Sequence, residues 1–199
     1  MMTQLHLLTT GQQGWETLEH TLPELAMRVD RIHLREPLWS ARELVTCIEF
    51  LMKCGVPAER LIVHDRLDVA LVTGIGIQLT TRSIPVDRVR SRFPELRIGQ
   101  SVHSLTEAAA AEQAGADYVM YGHIFETGSK PGVPPRGLHA LKQIVEQVSI
   151  PVIAIGGIKP GNVQEVIATG CSGVAVLSGI LGQANSLKAA DRFREVMQR

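Results

Sequence analysis

Within eight residues the chain places an imidazole, a carboxylate, two hydroxyls and an ammonium group, at His123, Glu126, Thr127, Ser129 and Lys130. They follow an apolar run, Tyr118–Tyr121, that breaks at Gly122, and they precede Pro131 and Gly132. A strand that delivers such groups where it stops, into a loop bearing glycine and proline, has the make-up of an active-site wall. His123 stands directly at the break. An imidazole titrates near neutrality, so it takes a proton and returns it within one cycle. Three other apolar runs also end in polar groups: His33-Leu34-Arg35-Glu36, His64-Asp65-Arg66 and Ser101-Val102-His103-Ser104. Strand alternation puts His33 with Arg35, and Ser101 with His103. An arginine turned inward needs an anionic partner, so Arg35 is expected to meet Asp65 or a ligand carboxylate. His6, His20 and His139 lie early in the chain or on helices and read as solvated.

The elements that must carry these groups alternate from end to end. Strand-like runs are Leu5–Thr9, Arg31–Glu36, Leu61–Asp65, Gly76–Thr81, Arg97–His103, Tyr118–His123, Val152–Gly157 and Val174–Gly179. Helical periodicity fills the gaps. Leu18, Leu22, Leu25 and Val29 share one face of a helix over residues 15–28. Ser40 with Glu43, and Ser104 with Glu107, have the spacing of capping boxes. Further helices are expected over 66–73, 85–92, Gly137–Val148, from Pro160 to Gly170, and Asn185–Met197. Eight strand–helix units without a linker predict an α/β protein, a (β/α)₈ barrel forming a single domain over 1–199. A dinucleotide-binding sheet is the alternative, but Gly74-Ile-Gly76 precedes a strand instead of following one.

In such barrels the site lies at the carboxyl ends of the strands, and the last two loops often hold phosphate. Here those strands end in Gly156-Gly157 and Ser178-Gly179. Glycine lets an anion approach backbone N–H groups, and Ser178 adds a hydroxyl. The plainer reading is that these glycines only turn tight corners.

Composition narrows the partners. Lys+Arg and Asp+Glu are equal at 20 each, so no net field recruits nucleic acid or an anionic membrane. No apolar run reaches the length of a membrane span and no basic leader precedes a hydrophobic one, which points to a cytoplasmic protein. Cys47, Cys54 and Cys171 form no close pair and read as small reduced hydrophobes. Homo-oligomerisation stays open.

The chain resembles the thiamine phosphate synthase-like barrels, and among them the thiazole tautomerase (TenI) branch. The resemblance rests on His-Leu-Arg-Glu at 33–36, His-Asp-Arg-Leu-Asp-Val-Ala at 64–70, Ser-Val-His-Ser at 101–104 and Ala-Asp-Tyr at 116–118. It continues in Gly-His-Ile-Phe-Glu-Thr at 122–127, Ile-Pro-Val-Ile-Ala-Ile-Gly-Gly-Ile at 150–158 and Ser-Gly-Ile at 178–180. Synthases of this type usually carry Gln-x-Arg-x-Lys on strand two, where this chain has His33, Arg35 and Pro37. They hold magnesium with one aspartate from strand three and another after strand four. Asp65 matches the first, while Thr80-Thr81-Arg82-Ser83 offers no second carboxylate. They have proline where this chain has His123, the residue that the tautomerase pattern uses for catalysis. The resemblance therefore implies an isomerase of thiamine biosynthesis that needs no cofactor and no metal. Its small-molecule partner would be a thiazole phosphate: the thiazole carboxylate phosphate tautomer with an exocyclic double bond, converted to aromatic 2-(2-carboxy-4-methylthiazol-5-yl)ethyl phosphate. His123 would shuttle the proton. Gly156, Gly157, Ser178 and Gly179 would hold the phosphate, and Arg35, Ser101, His103, Thr127 and Lys130 are the candidates for the remaining substrate contacts. A synthase-like transferase, or a non-catalytic barrel that binds a phosphate ligand, are the alternatives.

Overall fold

Buried on both faces, the apolar runs pair side by side instead of forming a half-exposed sheet. The computed structural model describes residues 3–198. Its strands are β1 (Gln4–Leu8), β2 (Arg31–Leu34), β3 (Leu61–His64), β4 (Gly76–Leu79), β5 (Ile98–Val102), β6 (Tyr118–Gly122), β7 (Val152–Ile155) and β8 (Gly173–Val176). They pair in parallel in chain order and close through β8 and β1, with Gln4 opposite Gly173. The helices that return the chain are α1 (Trp15–Ala26), α2 (Ala41–Lys53), α3 (Leu67–Thr73), α4 (Val86–Arg92), α5 (Leu105–Gln113), α6 (Gly137–Gln147), α7 (Val163–Ile167) and α8 (Ser186–Met197). This is the (β/α)₈ barrel.

Local chemistry explains where the elements stop. Ser40 and Glu43 cap each other's backbone at the start of α2. At α5, Ser104 accepts from Glu107 N, but the Glu107 carboxylate goes to His103 N at 2.6 Å, so that box is only half closed. The helix expected from Pro160 begins later, at Val163. Asn162 accepts from Lys159 N at 2.7 Å and donates to Gly157 O at 3.1 Å, which makes the intervening residues a turn. All eight strands end one or more residues short of the tips expected for them, so Thr9, Arg35, Asp65, His103, His123 and Ser178 lie on loops, while His64 and Ser101 stay within β3 and β5. Of the cysteines, Cys47 and Cys171 are buried as expected, whereas Cys54 is exposed just past α2.

The barrel interior is divided. One side is apolar: Leu8, Ile62, Met120, Ile153 and Ala175 meet there, backed by Ile155 and Leu177. The other holds His6, His33 and Gln78, all buried, with His64 above them. His6 is therefore no solvated bystander; β1 turns it inward, while His20 and His139 are exposed as expected. An unpaired buried polar group costs about 1–3 kcal/mol, and these groups are paired. His6 Nδ1 lies 2.9 Å from His33 Nε2, and His33 Nδ1 lies 3.2 Å from His64 Nε2. Tyr118 donates to Gln78 Oε1 at 2.7 Å, and Gln78 donates to Ser101 Oγ at 3.0 Å. Gly99 makes room for this second line, since a Cβ there would land inside Tyr118 and Gln78.

Burial holds these imidazoles neutral. Desolvation, helped by the Arg31 guanidinium, pushes His6 down to about 3, and desolvation with Arg35 does the same to His64. Burial also lowers His33, with the neighbouring imidazoles adding to it. The unfolded chain titrates its histidines near 6.5, so below that pH it binds protons that the folded chain refuses. Stability is thus complete above the unfolded value and falls as pH drops towards 3, by about 1.4 kcal/mol per pH unit for each histidine. Urea unfolding at pH 7 and pH 5, a window above the ordinary carboxylate range, is expected to show a loss on the order of 2 kcal/mol per buried histidine. Equal unfolding free energies at the two pH values would show that the rings are not held neutral.

Candidate active site

Closure of the barrel brings the loops after β6, β7 and β8 into one wall. The chain beyond β6 runs on beside β7: Ile124 N donates to Ile155 O and Phe125 N to Gly156 O, each at 3.0 Å. A Cβ on Gly156 would overlap His123, and one on Gly157 would come within 2.5–2.8 Å of Glu126 O and Phe125. Both glycines have positive φ, 102° and 68°. Their first role is therefore close contact with the β6–α6 loop, a reason that does not depend on any ligand. Gly179 joins the third loop to the second, since a Cβ there would press on Val176 at 2.8 Å and approach Ile158 O at 3.3 Å. Beyond this packing, the backbone N–H groups of Gly157, Ile158, Ser178 and Gly179 donate to no acceptor among the described residues. Ser178 is exposed beside them.

His123 forms the inner corner of the wall. It is 4% exposed and follows a cis peptide bond from Gly122. Its Nε2 lies 3.0 Å from Val133 O. A carbonyl only accepts, so Nε2 carries the proton and Nδ1 keeps its lone pair. Nδ1 is buried and has no partner among the described residues. Arg136, which sequence reasoning passed over, fastens the same corner: its N donates to His123 O at 2.9 Å and its Nε to Gly122 O at 3.1 Å. Nothing in the Pro-Pro-Arg-Gly context signals this contact, which exists only once the loop folds back.

Lys130 and His103 come together across the β5 and β6 loops. The ammonium donates to His103 Nε2 at 3.0 Å, so the His103 proton sits on Nδ1, facing Glu107 Oε2 at 3.6 Å. Desolvation and the Lys130 charge lower His103, and Glu107 opposes them. Thr127 is half-buried in the same loop and accepts from Ser129 N at 3.4 Å. Ser101 faces the interior and is engaged by Gln78.

The β2 and β3 ends differ from expectation. Arg35 is exposed and pairs with no carboxylate among the described residues. Asp65 instead accepts from Ser83 Oγ, in a backbone conformation with φ 57°, while Arg66 pairs with Asp68 at 2.6 Å. The separation has a simple cause: β2 ends at Leu34, so Arg35 already follows the loop out to solvent. His33, two residues earlier, is wholly inside and does not reach the mouth.

The chain is thus a (β/α)₈-barrel protein whose carboxyl rim places a histidine and a lysine-bearing loop beside unpaired backbone N–H groups, at the position where such barrels frequently bind phosphate. Comparison with known proteins narrows this. A family profile described as thiamine monophosphate synthase matches residues 5–180. The thiamine-phosphate synthase of Moorella thermoacetica is 41% identical over 190 residues, which cover 94% of this chain and 90% of that protein. That of Pyrococcus furiosus is 44% identical over 137 residues, 68% of this chain and 66%, just under two thirds, of its own. The solved thiamine phosphate pyrophosphorylase from Pyrococcus furiosus superposes with a TM-score of 0.86 at 34% identity, covering 98% of this chain and 95% of that one. The chain belongs to the thiamine monophosphate synthase family. Of the two magnesium carboxylates that the resemblance to synthases implies, only Asp65 is here, and Ser83 engages it. Among the described residues no group of three His, Cys, Asp or Glu side chains is arranged to hold a metal. These residues do not fit a magnesium site of that kind.

The packing role of Gly157 is open to test. Gly157→Ala adds a methyl group against the loop and an unfavourable φ, and is expected to destabilise the fold by about 1–3 kcal/mol. Limited proteolysis should then cut faster within residues 126–135. An unchanged melting temperature and cleavage rate would show that the two loops do not depend on each other.

Proposed function

We propose that this chain is a thiazole tautomerase of thiamine biosynthesis, with His123 as its acid–base residue. The observation that carries this reading is the state of that ring: Nε2–H is anchored on Val133 O, and Nδ1 is left with an unshared pair. A base needs that free pair and a fixed orientation. In the proposed reaction Nδ1 removes the ring proton alpha to the carboxylate, and the C–H electron pair enters the conjugated system. The exocyclic carbon then takes the proton from Nδ1–H, which restores the neutral imidazole and leaves an aromatic ring. The protonated ring keeps its bond to Val133 O throughout. In this reading the N–H groups of Gly157, Ile158, Ser178 and Gly179 receive the phosphate, and Lys130 adds charge from the loop. Gly156 supplies the close packing that sets His123 beside them.

General acid–base assistance is worth about 10²–10⁴-fold. His123→Ala is expected to slow aromatisation of freshly generated tautomer by that factor while product affinity changes only a few-fold, because the phosphate contacts are backbone. Ultraviolet absorbance or proton NMR follows the conversion. Parallel losses of affinity and turnover would argue for a structural His123. For Lys130→Ala, an exposed ammonium, product affinity is expected to fall about 2- to 5-fold. An unchanged dissociation constant would place Lys130 outside the site.

A synthase reading is favoured by the names of the relatives, which are thiamine-phosphate synthases. It requires a pyrophosphate-handling site, for which Pro37 and the carboxylate-free Thr80–Ser83 loop are poor material. Incubation with thiazole phosphate, pyrimidine pyrophosphate and magnesium decides between the two: release of pyrophosphate would establish the transferase.

A further inference from the structure

The buried imidazoles of the barrel have a polarity that the proposed reaction does not use. His6 Nε2 lies 3.0 Å from Gln4 Oε1, at the amino-terminal end of the barrel. A carbonyl oxygen accepts, so His6 carries its proton on Nε2 and its Nδ1 must accept. His33 therefore donates from Nε2 across the 2.9 Å contact, and its own Nδ1 must accept. His64 in turn donates from Nε2 across the 3.2 Å contact. Each ring holds one proton, because burial keeps all three neutral. One choice at Gln4 thus sets three tautomers in sequence and leaves a single lone pair, on His64 Nδ1. Only the last ring has appreciable exposure: His6 and His33 are 1% and 0% exposed, while His64 is half-buried at the carboxyl end of β3. Its Nδ1 has no partner among the described residues and, unlike His123 Nδ1, is not among the buried unpartnered atoms. The Arg35 charge adds to desolvation in disfavouring a doubly protonated His64.

We infer that His6, His33 and His64 form a hydrogen-bonded relay that runs through the barrel from Gln4 and makes His64 Nδ1 a neutral acceptor at the mouth. His64 is then a positioning residue on the β3 side, opposite the His123 wall: the thiazole carboxylate has no N–H or O–H group at pH 7, so the contact runs through a water that donates to both His64 Nδ1 and the carboxylate. That last role rests on the site proposed above; the relay itself does not.

The experiment is long-range ¹⁵N–¹H NMR of the full chain labelled at histidine and backbone nitrogen, at pH 7, first without ligand. Expected are three rings protonated at Nε2, with His64 Nδ1 unprotonated. In Gln4→Leu, two imidazoles away from His64, the His64 tautomers should equilibrate and a clear Nδ1–H population appear. A simple packing role for Gln4 would not move that signal. Should His33→Leu fold, it provides a second cut with the same expectation. An Nδ1–H form of His64 in the native protein, or a His64 tautomer indifferent to Gln4→Leu, would overturn the relay. Addition of carboxythiazole phosphate should then shift His64 Nδ1 along with the amides of Gly157 and Gly179. Amide shifts with an unmoved His64 would refute its role in positioning. Unmoved amides would instead refute the phosphate site and leave the relay standing on the ligand-free spectra.

Discussion

Closing eight parallel strands removes every free sheet edge and places all eight carboxyl ends on one rim. Everything else in this protein depends on that closure. It sets the loops after β6, β7 and β8 side by side, so that Gly156 touches His123 and Gly179 touches Val176 and Ile158. Residues far apart in the chain, such as His103 and Lys130, meet because β5 and β6 are neighbours. The apolar outward faces of the strands, packed against eight helices, supply most of the burial that holds the barrel shut.

The same closure creates an interior that must be filled, and half of it is filled with polar groups. Such a choice is stable only when the groups satisfy each other. The two hydrogen-bonded lines, His6–His33–His64 and Tyr118–Gln78–Ser101, meet that requirement. They replace interchangeable hydrocarbon with groups whose hydrogen-bond directions are mutually determined. The cost is a stability that declines in acid, since burial disfavours a second proton on His6, His33 and His64.

The family relation and the details of the site pull in different directions, and the difference is chemical. Relatives named thiamine-phosphate synthase share the barrel and much of the sequence. This chain has His123 at the rim, its buried Nδ1 without a protein partner, while the Thr80–Ser83 loop that reaches Asp65 brings no second carboxylate. The proposed proton transfer between two carbons calls for a positioned base. The departure of pyrophosphate demands concentrated positive charge.

Element type and order were legible in the sequence, because eight apolar runs alternating with helical periodicity leave few ways to bury both. The rim position of His123, Lys130 and the terminal glycines followed from where those runs break. Strand ends were less legible: a polar tip does not reveal where ladder bonds yield to a loop, and so Arg35 was expected inside and lies outside. His6 was misplaced for a related reason. A lone histidine on a strand has no sign of its side, and only the register of β1 against β2 turned it towards His33. The linear chain thus determined which elements form and which chemical groups their ends carry. Tertiary structure alone decided which nitrogens face each other and which remain free, because hydrogen-bond direction is a property of pairs, and the pairs exist only once the barrel closes.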